Sequence, residues 1–226
     1  MPERLRIHFQ EELAALEAQA LGGLDLVAEQ LERTMDALER RDAQLASVVV
    51  ADDDRIDGRY LEVHQGVLSL LARQAPVAGD LRVVAALLHV IKHVERMGDQ
   101  CVNVAKLIPL AGGDAPVDAE LVALVERMGA LAEAQLQQAK RAFATRDAVL
   151  AEDLVRADDE LDALNRQCFQ RAVACGTDED RREWAMHMML MARAIERLGD
   201  NAVDIGEQVA FIVSGLFREF SDASHP

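Results

Sequence analysis

The sequence predicts an all-α fold of two tandem, structurally repeated three-helix bundles, six long helices in all. Three observations predict it. The vocabulary is dominated by Ala, Leu, Val, Glu, Asp and Arg with only 4% aromatic residues, which favours helices over sheets. Apolar residues recur at intervals of three and four along most of the 226 residues. Two acidic motifs each occur twice, about a hundred residues apart, so the second half of the chain restates the first.

Leu13, Leu16, Leu24, Val27, Leu31, Met35 and Leu38 mark a first helix over roughly the first forty residues, with Gly22-Gly23 as a candidate bend. A second helix is expected from Asp42 as N-cap, through Val49, Ile56 and Leu68, to Gln74-Ala-Pro-Val-Ala-Gly, where Pro76 and Gly79 stop it. Asp80 is the expected N-cap of a third, striped by Val84, Leu88, Ile91, Gly98, Val102 and Ala105 and ended by Pro109. Ala111-Gly-Gly-Asp-Ala-Pro116 is the segment richest in Gly and Pro. It divides the chain into a first bundle at 1–111, a linker at 112–116 and a second bundle at 117–226.

The pattern then returns, about Asp118 to Ala144, Asp147 to Val173 and Asp178 to Phe217, with Thr177-Asp-Glu-Asp180 as an expected capping box. Glu95-Arg-Met-Gly-Asp99-Gln-Cys-Val102 aligns with Glu196-Arg-Leu-Gly-Asp200-Asn-Ala-Val203 at a shift of 101. Asp53-Asp-Arg-Ile-Asp57 aligns with Asp158-Asp-Glu-Leu-Asp162 at a shift of 105, the difference falling in a loop. Glu126-Arg-Met-Gly-Ala130 copies part of the motif but has no counterpart in the repeat and reads as coincidence.

Each motif sets two carboxylates four residues apart, one above the other on a helix face. Asn103 and Asp204 extend the second ladder of each half by a turn. Acidic runs on helices are commonly solvated, but Glu95 lies only about 40° from Ile91 on a helical wheel, inside the apolar stripe. Glu196 likewise lies among Ala185, Ala192, Gly199, Val203 and Ala210. A carboxylate so placed must be protonated, paired with a cation or turned outward. Lys92, Arg96, Arg193 and Arg197 are near enough in sequence for a salt-bridge network. A multivalent cation relieves four crowded carboxylates more fully, and an all-oxygen donor set favours hard ions such as Mg²⁺, Mn²⁺, Ca²⁺ or ferric iron.

His89 and His93 fall on the far side of the helix from Glu95 and read as surface or contact residues. Glu-x-x-His, P-loop, Gly-x-Ser-x-Gly and His-Glu-x-x-His motifs are absent, so nothing requires an enzyme. With 40 acidic and 24 basic residues, net charge −16, the chain is not expected to bind nucleic acid or anionic lipid. Cys101, Cys168 and Cys175 sit in apolar helical patterns and read as buried thiols. The charged N-terminus lacks a signal-peptide core, and the longest apolar stretch, Val83 to Ile91, is about half a membrane span, so no direct membrane insertion and a cytoplasmic location are expected.

Arg73-Gln-Ala-Pro-Val-Ala-Gly-Asp-Leu-Arg82, followed by Glu95-Arg-Met-Gly-Asp99 and Glu196-Arg-Leu-Gly-Asp200, closely resembles the PhoU family of phosphate-uptake regulators, over essentially the whole chain. The resemblance implies paired three-helix bundles and a homodimer. It implies negative regulation of phosphate uptake and of the phosphate-starvation response. The implied partners are the PstB-like ATPase subunit of a phosphate ABC transporter and a PhoR-like sensor histidine kinase, with peripheral association at the inner membrane through them. An accessory protein of another phosphate permease and a metal-storage or redox bundle are the alternative readings. The resemblance also implies metal ions, Mg, Mn, Zn or Fe, with Glu95, Asp99, Glu196 and Asp200 as the leading ligands and Asp53, Asp57, Asp158 and Asp162 beside them. The family often has Asn at the position of Asp57.

Overall fold

In a computed structural model, the chain is described over residues 3–112 and 117–220, with side chains from residue 6. The elements are α1 (Glu3–Arg40), α2 (Ala43–Asp52), α3 (Asp54–Arg73), α4 (Gly79–Leu107), α5 (Ala119–Thr145), α6 (Ala148–Glu152), α7 (Leu154–Cys175) and α8 (Arg182–Ser214). No strand occurs among the described residues. The expected second and fifth helices are therefore each interrupted for one residue, at Asp53 and at Asp153. Residues 113–116 of the expected linker lie outside the described residues.

The first turn of each half is built identically. Arg41 and Arg146 both take left-handed backbone, φ 51° and 56°. The next residue, Asp42 or Asp147, caps the following helix with its carboxylate, accepting from Leu45 N or Leu150 N. Asp118 caps α5 in the same way through Leu121 N. Two expected caps are not realised. Asp80 falls in the first turn of α4, whose N-cap is Ala78 at φ 49°, after α3 has ended in extended backbone at Gln74. The Thr177 hydroxyl donates back to the Ala174 carbonyl and Asp178 accepts from Asp180 N, so the segment forms a turn and α8 starts only at Arg182. Nor do Gly22 and Gly23 interrupt α1. A Cβ on Gly23 would stand 3.1 Å from Val94 and 3.3 Å from Arg59, so the pair serves the close approach of α3 and α4.

Within the first half, α1 packs on α2, α3 and α4; within the second, α5 packs on α6, α7 and α8. The halves meet chiefly through α4 and α8, and also through α1 and α5. Arg82 near the start of α4 lies against Gly215 beyond the end of α8, and His93 further along meets Asn201, so α4 and α8 run antiparallel. One apolar core runs through both halves, from Leu24, Leu31, Leu87 and Ile91 to Leu136, Leu161 and Met191. The three cysteines are free and buried, and burial pushes the Cys101 and Cys168 thiols up to about 12 and about 11.

Polar contacts tie the halves at their edges. Lys140 on α5 pairs with Asp25 on α1, and Arg146 pairs with Glu17 while stacking 4.6 Å over the Phe143 ring. His93 is a buried contact residue, its Nδ1 2.9 Å from Asn201 Oδ1 and 3.3 Å from Asp204 Oδ2, whereas His89 is exposed.

Candidate functional site

The eight carboxylates singled out by the repeat form two groups, one per half. In the first, α3 brings Asp53 and Asp57 to face Glu95 and Asp99 of α4; in the second, α7 brings Asp158 and Asp162 to face Glu196 and Asp200 of α8. The close crossing needs the glycine inside each Glu-Arg-x-Gly-Asp motif. A Cβ on Gly98 would lie 3.0 Å from Asp53 Oδ1 and 3.1 Å from Ile56, and one on Gly199 would lie 2.4 Å from Leu161 and 3.1 Å from Asp158 Oδ1. The glycine of α4 or α8 thus makes room for the carboxylate at the start of α3 or on α7 in each copy.

Each group has a buried glutamine that sequence reasoning missed. Gln30 of α1 donates from Nε2 to Asp53 Oδ1 at 3.0 Å, and Gln135 of α5 donates to Asp158 Oδ1 at 3.3 Å. Both glutamines are 1% exposed, and neither Oε1 has a hydrogen-bond partner. The signal was present: Gln30 and Gln135 are 105 apart, the shift that relates Asp53 to Asp158.

Burial and mutual repulsion disfavour the charged form of Asp53, Asp99, Asp158, Glu196 and Asp200. Asp53 is raised above the ordinary aspartate range, by burial first and then by Asp57, Asp99 and Asp54, while the Gln30 hydrogen bond opposes. Asp99 is raised by burial, Glu95 and Asp57. In the second group burial dominates, pushing Asp158 up to about 6 and Glu196 up to about 7, and Asp200 moves the same way. Neighbouring carboxylates add to each shift.

Cations already answer part of this charge. Lys92 Nζ lies 2.7 Å from Glu95, Arg193 pairs with Glu196, and Arg166 reaches Asp162 at 3.4 Å. The two copies differ in depth: Glu196 is buried and its Oε2 lacks a hydrogen-bond partner, whereas Glu95 is half-buried. Asp204 lies close enough to Asp200 to add to its shift and also meets His93, whereas Asn103 turns to its own helix, donating to Gln100 at 3.4 Å. Glu126 is exposed and apart from both groups, while Gly129 receives Met35 of α1.

The donor set is all oxygen and suits a hard cation, and the buried, unpartnered oxygens of Gln30, Gln135 and Glu196 border it. Among the described residues, no three His, Cys, Asp or Glu side chains converge on one point as they stand. Glu95 and Glu196 are instead drawn toward Lys92 and Arg193. No helix among the described residues is long and apolar enough to cross a membrane.

Known proteins share this architecture over more than nine-tenths of the chain. The chain is 31% identical over 216 residues to the phosphate-specific transport system accessory protein PhoU homolog of Caulobacter vibrioides, covering 95% of this chain and 94% of that one. The corresponding homolog of Clostridium acetobutylicum is 26% identical, with 95% and 98% covered. The crystal structure of PhoU from Pseudomonas aeruginosa superimposes with a TM-score of 0.85 at 27% identity, over 92% of this chain and all of that one. That of the phosphate transport system regulatory protein PhoU from Streptococcus pneumoniae gives 0.86 at 24% identity, over 93% and 99%, and supports the fold. The PhoU domain model matches twice, at residues 24–108 and 125–209, and each match spans one three-helix unit with its carboxylate group. A unit duplicated in sequence, in fold and in family match leaves one assignment: the chain belongs to the PhoU domain family.

Proposed function

We propose that this protein is a regulatory accessory of a phosphate transport system, acting by contact with partner proteins rather than by turnover. The observation that carries the reading is end-to-end similarity to a relative named for that role, 31% identical across 95% of this chain. In this reading the protein restrains phosphate uptake and the phosphate-starvation response, linking the ATPase subunit of a phosphate ABC transporter to a sensor histidine kinase. Its place is at the membrane face through those partners, as a homodimer.

The two carboxylate groups are read as metal sites. Glu95, Asp99, Asp53 and Asp57 would hold one set of ions, and Glu196, Asp200, Asp158 and Asp162 the other, with Mg, Mn, Zn or Fe as candidates. A bound cation would supply charge neutralisation and open coordination positions for oxygen donors of a partner. The chain's own contribution is orientation. Gln30 and Gln135 fix the Asp53 and Asp158 carboxylates, and Gly98 and Gly199 hold the helices close enough for the groups to face each other.

The test has two parts. Metal content of tag-free protein, by plasma mass spectrometry, should fall on Glu95→Ala/Glu196→Ala while helicity is retained; a wild type that stays metal-free after incubation with each candidate ion overturns the metal reading. In a host lacking its own copy, the wild-type gene should repress a phosphate-starvation reporter in phosphate-rich medium. No repression overturns the regulatory reading.

A further inference from the structure

The antiparallel α4 and α8 carry the duplication across their interface, and the two sides of that interface differ. At a shift of 101, His93 corresponds to Ala194, Asn201 to Gln100 and Asp204 to Asn103. On one side the His93 ring fills the space and meets Asn201 and Asp204. On the other, Ala194 leaves an open hollow of about 440 Å³ beside Gln100 and Asn103, and Lys106, Arg193 and Arg197 stand around it.

Through Leu190 and Arg193, which line both, this hollow adjoins a second of about 520 Å³ between α7 and α8. Phe169, Met189 and Leu190 floor the second hollow, and Arg166 edges it. Phe169 is 56% exposed and Leu190 46%, so two large apolar side chains face solvent at the junction. Neither hollow has a carboxylate in its lining, on a chain with 40 acidic residues against 24 basic ones. By contrast, the hollow between α1 and α5 is lined by Glu32, Asp36, Glu39, Glu126 and Glu133.

We infer that this groove docks an acidic amphipathic helix of a partner protein. Leu190, Arg193, Ala194 and Arg197 follow one face of α8 for two turns, about 10 Å, which is the footprint of apolar anchors at i, i+3 or i+4, and i+7 on a partner helix. The anchors seat on Phe169, Met189 and Leu190, and carboxylates flanking them face Lys106 and Arg197, with Arg193, itself paired with Glu196, between the two hollows. Charge decides the register as well as the sign: an acidic segment is repelled by most of this surface and accepted here. The inference rests on the contact-based reading above and adds to it the chemistry of one partner.

The test is a peptide-display selection against the immobilised full-length chain. Enriched peptides should carry net negative charge with apolar residues at helical spacing. Their affinity, read by fluorescence anisotropy, should fall at least tenfold on Leu190→Glu and several-fold on Lys106→Gln/Arg197→Gln, and should weaken as salt is raised from 50 to 300 mM. Both variants change exposed side chains, so circular dichroism should match wild type. Neutral or basic enriched peptides, or equal binding by Leu190→Glu, overturn the inference. So does a wild-type dimer that dissociates on Leu190→Glu in sedimentation, because the groove then belongs to a second copy. The phosphate-starvation reporter separates the two readings: repression by wild type with no acidic-helix binding removes only the groove assignment.

Discussion

Asp53 Oδ1 lies 3.0 Å from where a Cβ on Gly98 would stand, and Asp158 Oδ1 lies 3.1 Å from the equivalent point on Gly199. The Gly of each Glu-Arg-x-Gly-Asp motif is therefore as much a part of the carboxylate group as the Glu and Asp that flank it.

Replacing these glycines by alanine should separate the copies. Alanine gains about 1 kcal/mol in helix propensity at either position. At Gly199 the new methyl meets buried Leu161 at 2.4 Å and Gln135 Oε1 at 2.7 Å, so Gly199→Ala should cost a net ~1–3 kcal/mol through overpacking. At Gly98 the nearest atoms are 3.0–3.2 Å away, so Asp53 and Ile56 must yield by a few tenths of an ångström and Gly98→Ala should cost less than Gly199→Ala. Urea unfolding of the two variants measures the difference. No loss at Gly199 would contradict the close crossing of α7 over α8.

Stability should depend on pH in two opposite windows. Glu196 and Asp158 sit at about 7 and about 6 when folded, against 4.5 and 3.8 ordinarily, so between those values the folded chain binds more protons than the unfolded one. Stability in metal-free buffer must then fall as pH rises from about 5 to 7.5. Asp118 runs the other way: the Arg171 guanidinium holds it well below the usual range, and its contribution is lost in acid below the ordinary aspartate value. A melting temperature highest near pH 5 and lower by at least about 2–4 °C at pH 7.5 is expected, the size of a change of about 1 kcal/mol in a chain of this length. Glu196→Gln should flatten the upper window. A melting temperature that climbs steadily to pH 7.5 would show that the carboxylates are not crowded.

Gln135→Leu should uncouple stability from ion binding. It removes a buried Oε1 that has no partner, which offsets part of the cost of leaving Asp158 Oδ1 without its donor, so the fold should lose no more than about 1 kcal/mol. It also removes the donor to Asp158, so on the metal reading proposed above it should lower ion affinity by about 10–100-fold. Carboxyl-carbon NMR of the metal-free variant should show Asp158 titrating at higher pH than in wild type. Unchanged titration would mean that the 3.3 Å contact is idle.

Asp118 ties the start of the second half to α7. Its carboxylate caps α5 through Leu121 N at 3.0 Å and takes the Arg171 Nε at 2.8 Å. Asp118→Ala should lose about 1 kcal/mol from the cap alone, and Asp118→Asn, which retains a capping oxygen, should recover most of that part. Denaturant midpoints of the two variants separate capping from ion pairing.

Much of this protein is legible in its sequence, because helices declare themselves locally. The 3.6-residue period places the long helices, Asp42 announces its own cap, and the duplicated carboxylates can be paired before any coordinates exist. The repeat even names Gln30 and Gln135, once the shift of 105 is carried back into α1 and α5. The breaks at Asp53 and Asp153 were not legible, since neither interruption carries a Gly or Pro. The starts of α4 and α8 were misplaced by capping residues whose side chains are engaged elsewhere or fall within the helix.

Tertiary structure alone decided what depends on residues distant in sequence. The packing of α4 against α8 turns His93 and Asp204 into one contact and leaves Ala194 beside an open, cation-edged hollow. Arg193 and Lys92 draw Glu196 and Glu95 aside, so eight carboxylates that share two regions do not converge on one point as they stand. The physical reason is range. Periodicity and capping act within one or two turns of a helix, whereas desolvation, like-charge repulsion and the fit of one helix against another depend on which surfaces the fold presses together.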